Sequence, residues 1–506
     1  MARRLGAIVL LVAVAMGAAF GDWDVYRTHP FVEATADGLA GDLRHPAREV
    51  SVSGLQNDWA HAAVGLRLED GDGPVEVTVG LMGEPEVTRH LTLRVAGFVA
   101  QKSLGYCIDP IFADPGSLDL DLPTGSTAVL RDHVRNLPNI HGFPTVTVTQ
   151  SDPVLLWLTL GSRGMAPGHH RAGLRFVGGD GTVREVPVRV SVGAYALPVE
   201  NPLRTWGWQY GREWLDDYLQ YGVNVVHIDD DMPRAREVGY RFFVFRFNPA
   251  WKMVDPADYD LAEANARLEQ VQQMIGEMSL GPDEWALYMK DEPNDESAPN
   301  QLKWSEWIHE RWLEARLLFN PGWGPGPTNE WASVEGTVEP LAPHAGVWLP
   351  YSHWLWDGAS GRSLPLMRES ADEVWFYEIM GSSYARRPTV GRGMLRSLGW
   401  VAWRYRLQGA CWYSLNAYQV NMWGDNSRAE EYACTYGPIP GRGLEAVRQG
   451  LQEYKRLHEM DRLGVRAAET DAFAARLLSA ASVQELDTIR REMDARLIAA
   501  AQASGE

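Results

Sequence analysis

The feature that most constrains this chain is a change of pattern at Leu197-Pro198. Before it, short apolar or alternating runs are separated by Gly, Pro and Asp, most clearly Val75 to Leu81, Thr145 to Thr149, Val154 to Leu160 and Val186 to Val192. Strand side chains point alternately to two faces, so evenly spaced runs of this kind predict an all-β sandwich over residues 22–198. Gly179-Asp180-Gly181, between Leu174-Arg175-Phe176 and Val183 to Val188, is the strongest hairpin signal. After Pro198, short apolar strands alternate with longer helical stretches to about residue 425. Alternation of that kind predicts βα units around a parallel sheet.

The candidate strands are Leu203 to Trp208, Val223 to Ile228, Arg241 to Phe245, Glu284 to Met289, Leu317 to Asn320, Gly346 to Pro350, Glu373 to Ile379 and Ala410 to Leu415. Eight such segments predict a closed (β/α)8, TIM-like barrel over residues 199–436. The fifth is the weakest, since Phe319-Asn320-Pro321 reads equally as loop. Leu261 to Met278 and Trp304 to Arg316 carry apolar residues at helical spacing. A helical tail is expected over residues 437–506. In it Leu444, Val447, Leu451, Tyr454 and Leu457 share one face and predict a docking helix, whereas Ala472 to Ala501 reads as a charged, alanine-rich helix that packs loosely or projects. The chain is thus expected to be multidomain, in keeping with its 506 residues and roughly 150 residues per domain.

At the amino terminus Arg3 and Arg4 precede an apolar run from Leu5 to about Ala19, followed by small residues, the pattern of a signal peptide over residues 1–21. The protein is therefore expected to be exported, to the periplasm or beyond the cell. That run falls short of the ~20 residues that span a bilayer, and no comparable apolar segment follows, so no integral membrane segment is expected after cleavage. The net charge of -19 has no basic patch within it, which excludes the electrostatic footprint of a nucleic-acid binder and argues against polyanionic substrates. Three cysteines, Cys107, Cys411 and Cys434, are too few for a disulfide framework. A Cys411-Cys434 bond and buried free thiols both remain open.

The segment richest in chemistry is Trp285-Ala-Leu-Tyr-Met-Lys-Asp291-Glu292-Pro293, an apolar strand running directly into two carboxylates. Barrel enzymes carry catalytic groups at the carboxyl ends of their strands, although an acidic pair there also serves as a solvated turn. Aromatic density favours the first reading, because eighteen of the twenty-one tryptophans lie between Trp206 and Trp423. Trp206, Trp208, Trp348, Trp354, Trp375 and Trp412 stand at or near strand ends. Sugars offer apolar C–H faces to aromatic rings and hydroxyls to fixed polar groups, so the set suits a carbohydrate cleft, though any single ring is as well placed in a core.

Over most of its length the sequence resembles glycoside hydrolase family 123. The resemblance is carried by Pro167-Gly168 with the hairpin leading to Tyr195-Ala-Leu-Pro198, by Asp291-Glu292-Pro293, by Trp375-Phe376-Tyr377, and by Arg396 to Tyr405 continuing through Gly409-Ala-Cys-Trp-Tyr-Ser-Leu-Asn-Ala-Tyr418. Leu444-Glu445 with Arg448, Gly450 and Tyr454 looks like the family's closing helix. Gly443, Gln452 and the segment 428–436 depart from the family pattern, which touches the substrate more than the fold. The resemblance implies a β-N-acetylhexosaminidase of the galactosamine type. In such an enzyme the sugar's own 2-acetamido oxygen attacks the anomeric carbon. Asp291 would orient the acetamido N–H and Glu292 would act as acid and then base. One carboxylate must stay ionised and the other must hold a proton, and no second carboxylate across the cleft is needed.

Two alternatives stay open. Glu378 follows Tyr377 on the seventh strand, and in an ordinary retaining glycosidase it would be the nucleophile opposite Glu292, with the two carboxyls about 5 Å apart. The barrel would otherwise serve as a non-catalytic glycan-binding or cell-envelope protein. Substrate contacts are expected from Tyr377, Trp412, Tyr413, Asn416, Trp206, Trp208, His353 and Trp375, with His227 a further candidate. Asp229-Asp230-Asp231 and His169-His170 read as surface groups. No Gly-rich phosphate loop, zinc-ligand cluster or nucleophile elbow is present, so neither cofactor nor metal is expected and the partner is a carbohydrate.

Overall fold

The computed structural model describes residues 22–32, 42–70, 74–101, 105–112, 118–119, 129–130, 145–148, 153–208, 215–227, 231–252, 254–322, 332–356, 360–379, 394–413, 431–434, 437–440 and 442–505. The expected signal peptide, Asp229, Asp230 and Asn416 lie outside the described residues.

The first part of the chain contains β1 (Asp22–Thr28), β2 (Val50–Gln56), β3 (Trp59–Asp70), β4 (Val75–Gly83), β5 (Leu91–Gln101), β6 (Gly105–Phe112), β7 (Leu118–Asp119), β8 (Val129–Leu130), β9 (Thr145–Val148), β10 (Val154–Gly161), β11 (Gly168–Gly178) and β12 (Val183–Ala196). Two five-stranded sheets form, in the orders β1-β3-β10-β5-β6 and β2-β12-β11-β4-β9. Val186, Val188, Val190 and Val192 alternate with exposed or half-buried residues on β12, so one face of that strand is driven inward. They meet Leu66, Leu156 and Leu158 from the other sheet in one apolar core. Each such side chain contributes about 1.5–3 kcal/mol when fully buried. The β11–β12 turn forms at Gly179-Asp180-Gly181, where the Asp180 side chain accepts from the Thr182 amide at 2.8 Å and Gly181 takes φ +86°.

The second part supplies β13 (Arg204–Gly207), β14 (Val225–Val226), β15 (Phe242–Arg246), β16 (Trp285–Asp291), β17 (Leu317–Asn320), β18 (Ala345–Trp348), β19 (Glu373–Val374), β20 (Tyr377–Ile379) and β21 (Gly409–Tyr413). Every pairing among them is parallel, in two runs, β14 to β19 in chain order and β13-β21-β20. The seventh expected strand is interrupted at Trp375-Phe376, which splits it into β19 and β20. The runs approach each other again where the Asn224 amide donates to the Thr205 carbonyl at 3.0 Å. The result is a curled parallel array, TIM-like in character. Its strands are buried on both faces, as in Phe242, Phe243, Val244 and Phe245 on β15, which is why they read as continuous apolar runs.

Helices differ from expectation in two places. The helix expected over Trp304 to Arg316 runs Ala298–His309 instead. Pro299 fits its first turn, where no backbone donor is needed, and Asn294 and Ser297 bond each other's backbone amides at 3.0 Å just before it. In the tail, the long helix Arg442–Arg462 is followed by two helices, Ala467–Ser479 and Val483–Ser504, broken where Ser482 caps the Glu485 amide at 3.1 Å. The final segment does not project. Leu486, Ile489, Met493 and Leu497 are buried, and Arg490 reaches Asp58 of the sheet domain at 2.6 Å. Helix Arg442–Arg462 lies so close to helix Met394–Arg404 that a Cβ on Gly450 would come within 1.9 Å of the Arg396 carbonyl oxygen. Cys411 is a buried free thiol. Among the described residues no helix is long and apolar enough to cross a membrane.

Candidate active site

The site is built where β16 leaves the array. The ladder between β16 and β17 is irregular between Tyr288 and Asp291, a break of the kind that re-aims side chains. Tyr288 and Asp291, three positions apart, are thereby brought together, and the Tyr288 hydroxyl donates to Asp291 Oδ1 at 2.7 Å. Asn320, the last residue of β17, donates Nδ2 to the same oxygen at 2.9 Å. Its Oδ1 accepts from the Glu292 amide at 3.2 Å, so one carboxamide spans both acidic residues.

Glu292 has φ +48°, a left-handed conformation that costs a non-glycine residue roughly 1–3 kcal/mol and is found mainly where function requires it. Gly322 packs against the resulting turn, and a Cβ there would stand 3.1 Å from Glu292 Cβ. The Trp354 indole fixes Gly322 by donating to its carbonyl at 2.8 Å. The turn aims Glu292 across the strand ends to Tyr377, whose hydroxyl donates to Oε1 at 2.6 Å. Lys290 closes the turn from the other side through its ammonium, 2.9 Å from the Asp291 carbonyl oxygen.

These neighbours give the two carboxyls different environments. Asp291 is exposed, and its Oδ1 accepts both hydrogen bonds. Burial raises the Glu292 pKa, and the Asp291 charge raises it further, against the opposing pull of the Tyr377 hydrogen bond and Lys290. Burial also pushes the Tyr288 and Tyr377 phenols well up, which keeps both as hydrogen-bond donors.

Beside the carboxylates lies an aromatic wall. Trp206 and Trp208 stack at 4.8 Å, and both meet Tyr288 edge-on, at 5.9 and 5.7 Å. His227 accepts from the Trp206 indole at 3.2 Å. Tyr413, half-buried, lies 6.2 Å from Trp208, and half-buried His353 lies 4.7 Å from Tyr351. Trp412, the neighbour of Tyr413 on β21, is fully buried and alternates to the other face of the strand. Trp375 is placed elsewhere. Its ring meets Phe242 at 4.9 Å and crowds Gly409, the first residues of β15 and β21, so it packs at the opposite end of the strands. Glu378 is 1 % exposed and its carboxylate is engaged by the hydroxyls of Tyr351 and Ser352. His169 and His170 are surface groups of the sheet domain.

Sequence reasoning passed over Tyr288, Asn320, Lys290 and Gly322. Asn320 was within reach, because the strand-end rule that selects Asp291 selects it too once the fifth strand is accepted. Tyr288 faces Asp291 only because of the irregular ladder, which nothing in the residue types announces.

No protein-family model matches the chain, and no curated protein matches it. Among solved structures it is similar to a family 123 glycoside hydrolase from Clostridium perfringens, described for glycolipid glycan hydrolysis, with TM-score 0.58 and 9 % identity over 95 % of this chain and 98 % of that one. It is also similar to a family 39 glycoside hydrolase from Bacteroides cellulosilyticus (TM-score 0.37, 10 % identity, 80 % of this chain and 83 % of that one). A third is a family 5 xyloglucanase from Bacteroides ovatus (TM-score 0.31, 9 % identity, 80 % of this chain and 99 % of that one). The first likeness is one of fold and spans nearly all of both chains; the other two are too distant to carry an argument.

Proposed function

We propose that this protein is an exported glycoside hydrolase that releases β-linked N-acetylhexosamine, of the galactosamine type, by substrate-assisted retaining catalysis. In this reading the curled array is a closed (β/α)8 barrel over residues 199–436. The sheets over 22–198 are a sandwich packed on it, residues 437–506 form a sealing helical tail, and a signal peptide occupies 1–21.

The observation that carries the reading is the adjacent pair itself, Asp291 exposed and held by Tyr288 and Asn320, Glu292 turned away from it to Tyr377 and partly buried. Asp291, exposed and held by the Tyr288 hydroxyl and the Asn320 amide, accepts the acetamido N–H of the bound sugar and steers the acetamido oxygen onto the anomeric carbon. Glu292, its pKa raised chiefly by burial, gives its proton to the leaving oxygen. It then takes a proton from the water that opens the oxazoline. The Tyr377 hydroxyl passes from Glu292 to the acetamido carbonyl as the sugar enters. Tyr413 and His353 contact the sugar, Trp206 and Trp208 shape its floor from beneath, and Asn416 is assigned from sequence alone. Glu378 fits the nucleophile of a double displacement less well, since two hydroxyls already engage its carboxylate.

The test is hydrolysis of an aryl β-N-acetylgalactosaminide beside the matching 2-hydroxy galactoside, with Glu292→Gln and Asp291→Asn. Turnover of the acetamido sugar alone, reduced roughly 10²–10⁴-fold in Glu292→Gln and strongly in Asp291→Asn, is expected. Turnover of the 2-hydroxy sugar that survives Asp291→Asn transfers the nucleophile to Glu378. Glycan binding with no turnover of any glycoside identifies a non-catalytic binder.

A further inference from the structure

Arg246 ends β15, the strand next to the one that carries Asp291, and it pairs in register with Tyr288. Its guanidinium lies over the Trp251 ring at 4.5 Å and 5.9 Å from Trp208. Both rings in turn meet Tyr288, at 5.2 and 5.7 Å, and Tyr288 bonds Asp291. Two aromatic rings in sequence, a tryptophan and Tyr288, therefore link the cation to the carboxylate site.

In a chain of net charge -19 this cation is unusual, because no carboxylate of the described residues lies within ion-pair distance of it. Its Nε is buried without a partner. The side chain makes no hydrogen bond among the described residues, and the residue is partly exposed. The groups around it are donors too. The indole nitrogens of Trp208 and Trp251 are buried and unpartnered, and His227, which accepts from Trp206 at Nδ1, carries its proton on Nε2. The Arg246 charge is felt locally: His227 is held neutral, its pKa depressed to about 3 first by burial and then by Arg246. A guanidinium that rests on two rings with part of its fork withdrawn from water attracts an anion more strongly than a fully hydrated one.

We infer that Arg246 is an acidic-group subsite and that the natural substrate carries a carboxylate or a sulfate on, or next to, the N-acetylhexosamine. The inference rests on the glycosidase reading above and narrows its substrate class. A planar guanidinium offers paired donors to the two oxygens of either group, and its stacking on Trp251 fixes the plane. The strongly negative chain repels long polyanions, so the substrate is a short saccharide bearing few acidic groups.

The test is calorimetric binding to Glu292→Gln, which retains the cleft and needs no turnover. The probes are N-acetylgalactosamine, its 4- and 6-sulfates, and the N-acetylgalactosaminyl glucuronate disaccharide beside its neutral glucose counterpart. At least one acidic probe is expected to bind tenfold or more above its neutral partner, and which one it is separates sulfate from carboxylate. That ratio should fall to within about twofold in Glu292→Gln/Arg246→Gln and be partly restored in Glu292→Gln/Arg246→Lys. Equal affinities for neutral and acidic probes in Glu292→Gln, or a preference that outlasts Arg246→Gln, overturn the inference whether or not either double variant folds well. An acidic preference in a protein that hydrolyses no glycoside would retain the subsite and reject the catalytic reading.

Discussion

Removing the Tyr377 hydroxyl and removing the Asp291 charge act on Glu292 in opposite senses. The phenol donates to Oε1 at 2.6 Å and so favours the ionised carboxylate, whereas the neighbouring Asp291 charge disfavours it. If Glu292 works in its protonated form, kcat/KM declines as pH rises through its pKa. Tyr377→Phe should then move that basic limb to higher pH, and the residual activity of Asp291→Asn should move it to lower pH. The profiles are best recorded on an aryl glycoside with a poor leaving group, whose departure depends on the acid. Basic limbs that coincide in all three proteins would remove Glu292 from the acid role. A loss of rate in Tyr377→Phe without displacement of the limb would make that tyrosine a substrate contact alone.

At the scale of the element, the site depends on how β16 ends, and this is also where sequence and structure part. An apolar run that stops at two acids is visible in residue types, so Asp291 and Glu292 could be picked out, and Tyr377 followed from its place at another strand end. The left-handed turn at Glu292 was not legible, because glutamate has no preference for positive φ and is held there by Asn320, Pro293 and Gly322 rather than by its own propensity. Trp375 shows the opposite failure: it was read as part of one unbroken strand, whereas the strand is interrupted at Trp375-Phe376 and its ring packs at the other end. The docked tail was missed because helical spacing reveals an apolar face and not the charged partner waiting for Arg490. The turn makes its own prediction. Gly322→Ala brings a methyl to 3.1 Å from Glu292 Cβ, closer than carbon atoms pack, and the turn must shift by a few tenths of an ångström. Misplacement of about 1 Å costs a reacting group roughly 10²-fold, so a smaller shift should lower kcat by about tenfold. The thermal midpoint should change little, since the methyl meets a half-buried carboxylate arm rather than the core. An unchanged kcat would show that Glu292 is placed by other contacts.

For the whole molecule, the question is how the sheets are joined to the helical tail, and two buried ion networks on helix Arg442–Arg462 make that contact. Asp58, at the turn after β2, receives Arg456 and Arg490 at 2.6 Å each, and Arg456 also reaches Asp494 at 2.6 Å. Glu445 receives Arg94 from β5 at 2.5 Å, together with Arg448. Burial alone would raise both carboxyls, but the arginines outweigh it. Asp58 ends far below the ordinary carboxylate range, and Glu445 falls to about 2 under Arg448, Arg94 and His61. Groups depressed in the folded state bind fewer protons there than in the unfolded chain, so their contribution is complete above the unfolded pKa of about 4 and is lost as pH falls toward the folded values. Stability should therefore decline steeply below pH about 4, a range in which an exposed ion pair would matter little. Asp58→Asn tests the origin of that decline. It leaves Arg456 and Arg490 buried beside a neutral amide, and breaking a buried pair in this way costs on the order of 3–5 kcal/mol. Urea denaturation near neutral pH should show that loss in full, and the gap between variant and parent should narrow as pH falls from about 4 toward 2, where the unfolded parent takes up a proton at Asp58 and the folded one does not. A constant gap across that range would mean that Asp58 acts through shape rather than charge, and acid lability would then have to arise outside the contact between the sheets and the helical tail.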